Sequence, residues 1–230
     1  MWWKVPKMWA DSECWIIGGG FSMLHQFDVP EEVIHDVMEH KKTPSAYSPY
    51  LKPLHDRHVI GINMSYQIGD WIDLMFFGDR SFFGRVKGDL PYFPGLKVTC
   101  ASSFNQVKKV PGVKYMKRLA RKRTYGISTV PGTVCWNLNS GAAAISVAVQ
   151  AGVKRIILLG FDMKPSEGKR HWHQLYGVAK NKSLPYHNHL KAFPKIAEDA
   201  QKLGVEILNA SPDSAINDLK KVSVKEVLHD

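Results

Sequence analysis

The stretch Asn139–Asp162, NSGAAAISVAVQAGVKRIILLGFD, constrains the fold more than any other part of this chain. Asn139 and Ser140 suit a helix N-cap. Residues Gly141 to Gln150 are small and apolar, as expected of a helix lying against a sheet. Gly152 is a natural stop in the left-handed region. After Lys154 and Arg155, the run Ile156–Leu159 is apolar without alternation, the pattern of a strand covered on both faces of a parallel sheet. Gly160, Phe161 and Asp162 then leave that strand at its carboxyl end, where open α/β sheets bind ligands.

Other strands follow the same pattern. Cys14–Ile17 is a short apolar run that passes directly into Gly18, Gly19, Gly20, Phe21 and Ser22. A strand followed by glycines and a serine has the outline of a phosphate-cradling turn. His58–Ile62 ends in Asn63, Ser65 and Tyr66, and Trp71–Phe77 ends in Gly78 and Asp79. Leu96–Cys100 and Val205–Leu208 complete the core set, with Val113–Met116 as a short edge strand. Helices are expected over Glu31–His40, over Leu190–Leu203 with Pro194 bending it or marking its start, and over Val224–Leu228. Lys41–Arg57 reads as an irregular excursion and Tyr125–Leu138 as a loop over the site. Residues 164–186 are long, polar and aperiodic, which suits a lid. The expectation is one α/β domain spanning residues 1–230, with a mostly parallel sheet and helices on both faces. Parallel strands would line up Gly18 to Ser22, Asn63, Asp79 and Asp162, with Asn209 and Ser211, along one rim. That arrangement suits a nucleotide pocket.

Charge and cysteine usage narrow the partners. The formal net charge is +10, which favours anionic ligands. Lys108, Lys109, Lys114, Lys117, Arg118, Arg121, Lys122 and Arg123 cluster in one stretch, either a solvated face or a surface for phosphate or nucleic acid. The three cysteines lack metal-site spacing and read as buried thiols in a reducing compartment. The opening residues are too broken by lysine, proline and acid for a secretory signal, and no apolar run approaches about 18 residues. The expected location is therefore the cytoplasm. Two His-x-His pairs, His171/His173 and His187/His189, remain open between metal chelation, proton transfer and contact with a phosphate.

The segments CWIIGGGFS, GINMSY, FFGD, NSGAAAISVAVQAGVKRIILLGFDM and VEILNASPDSAI, in this order, resemble a superfamily of Rossmann-like proteins. It includes bacterial lipooligosaccharide sialyltransferases and archaeal 6-hydroxymethylpterin pyrophosphokinase-like proteins, and phage and prophage members look nearest. The likeness runs from about Cys14 to Lys221. It implies that Gly19, Gly20, Ser22, Asn63, Asn139, Ser140 and Gly141 hold a cytidine-type nucleotide sugar, with Gly18, Asp79 and Asp162 beside them. It also implies a catalytic histidine ahead of the helix that feeds the last strand. An ungapped count back from the Ser-Pro segment gives His187, with His189 as its near rival.

Two positions depart from the sialyltransferase pattern. Lys164 stands where the first of two phosphate-holding tyrosines is expected, and Asn137 where an arginine is expected. Phosphate contacts would then fall to Lys164, Lys169 or Arg170. The resemblance thus implies a glycosyltransferase acting on a nucleotide-sugar donor and an acceptor. The alternatives are a pyrophosphokinase-like enzyme using ATP and magnesium, with Asp79 and Asp162 as ligands, and a phage accessory protein that binds nucleic acid through residues 108–123.

Overall fold

The computed structural model describes residues 2–101, 111–119, 124–175 and 186–229. In chain order, β1 (Glu13–Ile17) leads to α1 (Ser22–Gln26) and α2 (Glu31–Met38), then through a 3-10 stretch (Pro44–Leu54) to β2 (His58–Ile62). A second 3-10 stretch (Asn63–Ile68) precedes β3 (Leu74–Phe77). Next come α3 (Arg80–Val86), β4 (Leu96–Thr99), β5 (Val113–Tyr115), β6 (Lys117–Leu119) and β7 (Thr133–Cys135). The second half holds α4 (Ser140–Ala151), β8 (Arg155–Leu159), α5 (Tyr186–Leu190), α6 (Phe193–Leu203), β9 (Glu206–Asn209), β10 (Lys220–Lys221) and α7 (Val224–Leu228).

Eight strands form one sheet in the order β10-β9-β8-β1-β2-β3-β4-β5, and every pair in it is parallel. From β1 the chain winds outward through β2 to β5. It then returns to the other side of β1 and winds outward again through β8, β9 and β10. The order therefore reverses between β1 and β8, which opens a crevice at their carboxyl ends.

Alternation within the strands builds two cores. Cys14, Ile16, Ile60, Leu74, Phe76, Ile156 and Leu158 pack on one face with the alanines of α4 and with Phe193 and Ile196 of α6. Trp15, Ile17, Val59, Met75, Phe77, Ile157 and Leu159 pack on the other, against α1, α2, the first 3-10 stretch, Trp172 and α7. The mostly parallel α/β sandwich expected from the sequence is the fold observed.

Several boundaries differ from expectation. Trp71 lies outside β3: its indole nitrogen donates to Ser48 Oγ at 2.8 Å and its ring stacks on His55. Residues 125–138 are not a plain loop, because Thr133–Cys135 pairs with Lys117–Leu119 as a separate small parallel sheet. The polar excursion after α2 folds into 3-10 turns whose Tyr47, Leu51 and Leu54 are fully buried. Pro194 sits in the first turn of α6, where its missing N–H costs nothing, and so marks that helix's start. Cys14, Cys100 and Cys135 are all buried. Among the described residues, no helix is long and apolar enough to cross a membrane.

Candidate functional site

The crevice between β1 and β8 opens into a cavity of about 410 Å³. Its floor is the meeting of two strand exits. The Gly18 amide donates to Leu159 O and the Gly20 amide to Gly160 O, both at 2.8 Å. A Cβ on Gly20 would lie 2.6 Å from the Gly160 carbonyl oxygen, and one on Gly18 would lie 2.7 Å from the same atom. The glycines are thus needed for close approach of two chain segments. The amides of Gly18 and Gly20 are spent on that packing and are not presented as an anion cradle, which corrects the sequence expectation.

Asp162 completes the joint. It is buried, accepts from the Ser22 amide at 3.0 Å and takes a short bond from the Ser22 hydroxyl. The Ser211 hydroxyl lies 3.1 Å from that of Ser22. Ser22 itself is not part of the cavity wall; it acts by fastening Asp162. Both Asp162 oxygens are therefore committed to the start of α1. A magnesium ion at Asp162 would have to share oxygens that already accept from Ser22. Among the described residues, no three His, Cys, Asp or Glu side chains converge as a metal site.

A second wall comes from the start of α4. Asn139 caps the helix, its side-chain oxygen accepting from the Ala142 amide at 3.2 Å. Ser140 Oγ accepts from the Gly78 amide at 3.2 Å and lies 3.4 Å from Asp79 Oδ2. Gly141 faces Phe161, whose ring would be 2.7 Å from a Cβ there. Gly141 and the capping residues border the cavity, so the helix N-terminus carries its partial positive charge into it. Asn137 is fully buried and clamps the loop through Gly126 and the Ala142 carbonyl, which leaves it no role toward a ligand.

Asn63 differs from its neighbours. It holds φ at 54°, lines the cavity and keeps its Oδ1 buried with no hydrogen-bond partner among the described residues. An unsatisfied buried acceptor costs on the order of 1–3 kcal/mol unless a ligand supplies the donor.

The polar segment after β8 closes the third side. Lys164, Arg170, His171, His173, Tyr186 and His189 all border the cavity. Trp172 pins the segment: its indole nitrogen donates to Gly18 O at 2.9 Å and its amide to Gly19 O at 3.2 Å. Burial holds His171 below its usual pKa, against a hydrogen bond with the Gly19 backbone that raises it. His173 is pushed down to about 3 by burial, with His171 adding to the effect. The Leu175 amide donates to His173 Nδ1 at 3.2 Å, which fixes its neutral tautomer with the proton on Nε2. Burial also lowers His189, partly offset by Asp79, and raises the Tyr186 hydroxyl.

The sequence-derived residues therefore divide. Gly18, Gly19, Gly20, Asn63, Asp79, Asn139, Ser140, Gly141, Asp162 and His189 surround one cavity. His187, first choice from the count, is exposed and outside the wall, because α5 turns it away from its neighbour two residues on. Trp136, Leu138 and Tyr186 border the cavity without having been singled out by sequence. Tyr186 was hidden because it stands at the far end of the lid rather than just after the Gly-x-Asp step.

Within the basic stretch, Arg118 is committed inward. It donates to Cys100 O at 3.1 Å and to Gly78 O, and lies 3.6 Å from the centroid of the Trp136 ring. Lys108, Lys109, Arg121, Lys122 and Arg123 lie outside the described residues, as does 176–185 of the lid.

No family model and no curated protein sequence matches the chain. Its fold is shared with solved glycosyltransferases. The MAf glycosyltransferase from Magnetospirillum magneticum AMB-1 superposes with a TM-score of 0.60 at 12% identity over 98% of this chain and 36% of its own. The chain thus spans about a third of that protein. The sialyltransferase CstII from Campylobacter jejuni, solved with cytidine-5'-monophosphate, gives a TM-score of 0.51 at 14% identity over 93% of this chain and 86% of its own. A CST-II complex with a trisaccharide acceptor and CMP gives 0.52 at 13% identity, covering 92% and 86%. At these identities the likeness is one of fold.

Proposed function

We propose that this chain is a glycosyltransferase that binds a nucleotide-sugar donor of the CMP type in the β1/β8 crevice. The observation that carries the reading is the Asn63 amide oxygen, a buried acceptor without a partner among the described residues, in the wall of a switch-point cavity. An amino group of a base or a ribose hydroxyl would satisfy it. Across the cavity, the N-terminus of α4 with Lys164 and Arg170 supplies positive charge for the phosphate. Tyr186, kept protonated by its raised pKa, adds a hydroxyl donor.

In this reading the acceptor hydroxyl oxygen forms the new bond to the anomeric carbon. The bond from that carbon to the phosphate oxygen breaks, and the nucleotide leaves with the electron pair. His189 takes the acceptor's proton. Its lowered pKa leaves the ring neutral near pH 7, the state a base requires. The likeness to glycosyltransferases solved with CMP supports this donor class. A pyrophosphokinase reaction is less well served, since Asp162 is committed to Ser22.

Equilibrium dialysis against CMP, UDP, GDP and ATP tests the proposal. CMP should be retained, and Asn63→Ala should weaken it on the order of tenfold, the worth of one hydrogen bond. Failure to retain any nucleotide would overturn it. Magnesium-dependent retention of ATP alone would transfer the reading to the pyrophosphokinase class.

A further inference from the structure

A second cavity, of about 840 Å³, lies on the other side of His173, which lines both. It is larger than the first and is built differently. Its wall interleaves the rings of Tyr66, Trp71, Tyr92 and Phe93 with hydrogen-bonding side chains. Trp71 is its most constrained member. The indole N–H is used by Ser48 Oγ at 2.8 Å, and the ring stacks on His55 with centroids 4.6 Å apart. His55 is itself held to Ser48 O at 3.0 Å. The indole is therefore fixed before any ligand arrives, and what it offers the cavity is carbon surface. Tyr92, another ring of the lining, is 86% exposed, an unusual position for a large side chain.

Polar groups run beside these rings in a chain. Gln67 Nε2 donates to the Tyr66 hydroxyl at 3.2 Å, and that hydroxyl lies 3.4 Å from Asp89 Oδ2. Burial raises Tyr66 to about 12, so it stays a donor. Fixed rings beside amide and carboxylate groups match one ligand chemistry well. A sugar ring has a flat face of C–H groups and an edge of hydroxyls that both give and accept hydrogen bonds. Because the rings are already ordered, binding loses little side-chain entropy.

We propose that this cavity is a saccharide subsite that holds the sugar portion of the acceptor, one wall away from the nucleotide. The inference rests on the glycosyl-transfer reading for the identity of its occupant as acceptor, but the saccharide chemistry stands on the cavity itself. His173 is the shared partition, buried and locked in one tautomer. Trp71 precedes β3 and stacks on His55 ahead of β2, so a sugar seated on it lies toward the amino ends of these strands, and an acceptor of several sugar units would extend from it along the cavity to His173 and the donor side.

The test uses the full chain on an array of immobilised oligosaccharides ending in galactose, glucose, N-acetylhexosamine or sialic acid, followed by saturation-transfer NMR with the best-retained glycan. CMP dialysis runs in parallel. Wild type should retain at least one glycan. Trp71→Ala should weaken it on the order of tenfold or more. Because Trp71 is half-buried, Tyr92→Ala and Gln67→Ala serve as variants that leave the core intact, and each should lose several-fold. CMP affinity should hold in all three. If wild type retains CMP but no glycan, or if all three variants keep wild-type glycan binding, the subsite is overturned while the donor reading stands. Trp71-dependent glycan binding without any nucleotide binding would uphold the saccharide cavity and remove its role as an acceptor site.

Discussion

Two His-x-His pairs with the same spacing come to opposite ends in this molecule. His171 and His173 sit on a non-helical, bent segment and face the same way. Their rings lie parallel, 5.3 Å between centroids and 7° between planes, while Trp172 between them points into the core. His187 and His189 sit on the short helix α5, where two residues correspond to about 200° of rotation. One faces solvent and the other the cavity. Spacing alone cannot assign chemistry to such a pair. The backbone beneath it decides whether the two rings act together or only one of them reaches the site. The non-helical pair is built into the floor, and the helical pair presents a single group.

The sharpest way to break this comparison is to remove the anchor of the non-helical pair. Trp172 is fully buried, donates to Gly18 O and meets Tyr47 edge-on at 6.0 Å between centroids, with the Tyr47 hydroxyl donating to the Trp172 carbonyl. Trp172→Ala should cost roughly 3–5 kcal/mol of stability, seen as a lower urea midpoint. A midpoint equal to wild type would mean that the segment is not built into the floor.

The helical pair predicts an asymmetry of activity. His189→Ala should slow transfer on the order of a hundredfold with CMP affinity nearly unchanged, and His187→Ala should change little. Donor hydrolysis provides the readout where an acceptor is not in hand. The reverse result would return the base to His187, the position that the ungapped count selects.

Proton linkage separates the pairs further. The folded pKa of His173 is about 3, below an unfolded value near 6.5. Its folded-state pKa is depressed, so its contribution to stability is complete above about pH 6.5 and is lost as pH falls from there toward 3. At pH 5 the loss should be about 2 kcal/mol. Urea titrations of wild type and His173→Asn at pH 7.5 and pH 5 should therefore converge by about that amount. Parallel shifts at both pH values would show that His173 is not held neutral.

Much of this site was legible because each buried strand announces its end. An apolar run stops, and a polar residue follows: Asn63 after Ile62, Asp79 after Gly78, Asp162 after Phe161. Parallel pairing then aligns those ends without further information. What was not legible depends on partners far apart in the chain. Asp162 looks like a ligand for a metal or nucleotide until Ser22, 140 residues away, takes both of its oxygens. The strands Lys117–Leu119 and Thr133–Cys135 are too short to show a period, so the second sheet reads as a loop. Trp71 has the apolar character of its neighbours in the sequence, yet Ser48 and His55 draw it out of the strand and into the second cavity.

The smallest expected effect tests the glycine turn beneath the non-helical pair. A Cβ on Gly19 would lie 2.9 Å from His171 Nδ1, the polar end of a half-buried side chain that can shift by a few tenths of an ångström. On Gly20 the same atom would meet a backbone carbonyl and the Asp162 carboxyl carbon, both 2.6 Å away and fixed by the β1–β8 joint. Gly19→Ala should therefore fold with a stability loss below about 1 kcal/mol and weaken CMP a few-fold, by displacing the imidazole at the cavity wall. Gly20→Ala should lose more stability than Gly19→Ala, because neither obstacle can move without opening the joint. Paired urea and CMP titrations on the two variants measure both quantities. Equal stability losses would mean that His171 is as rigidly held as the backbone itself. An unchanged CMP affinity in Gly19→Ala would remove His171 from contact with the nucleotide, leaving the non-helical pair a purely structural floor.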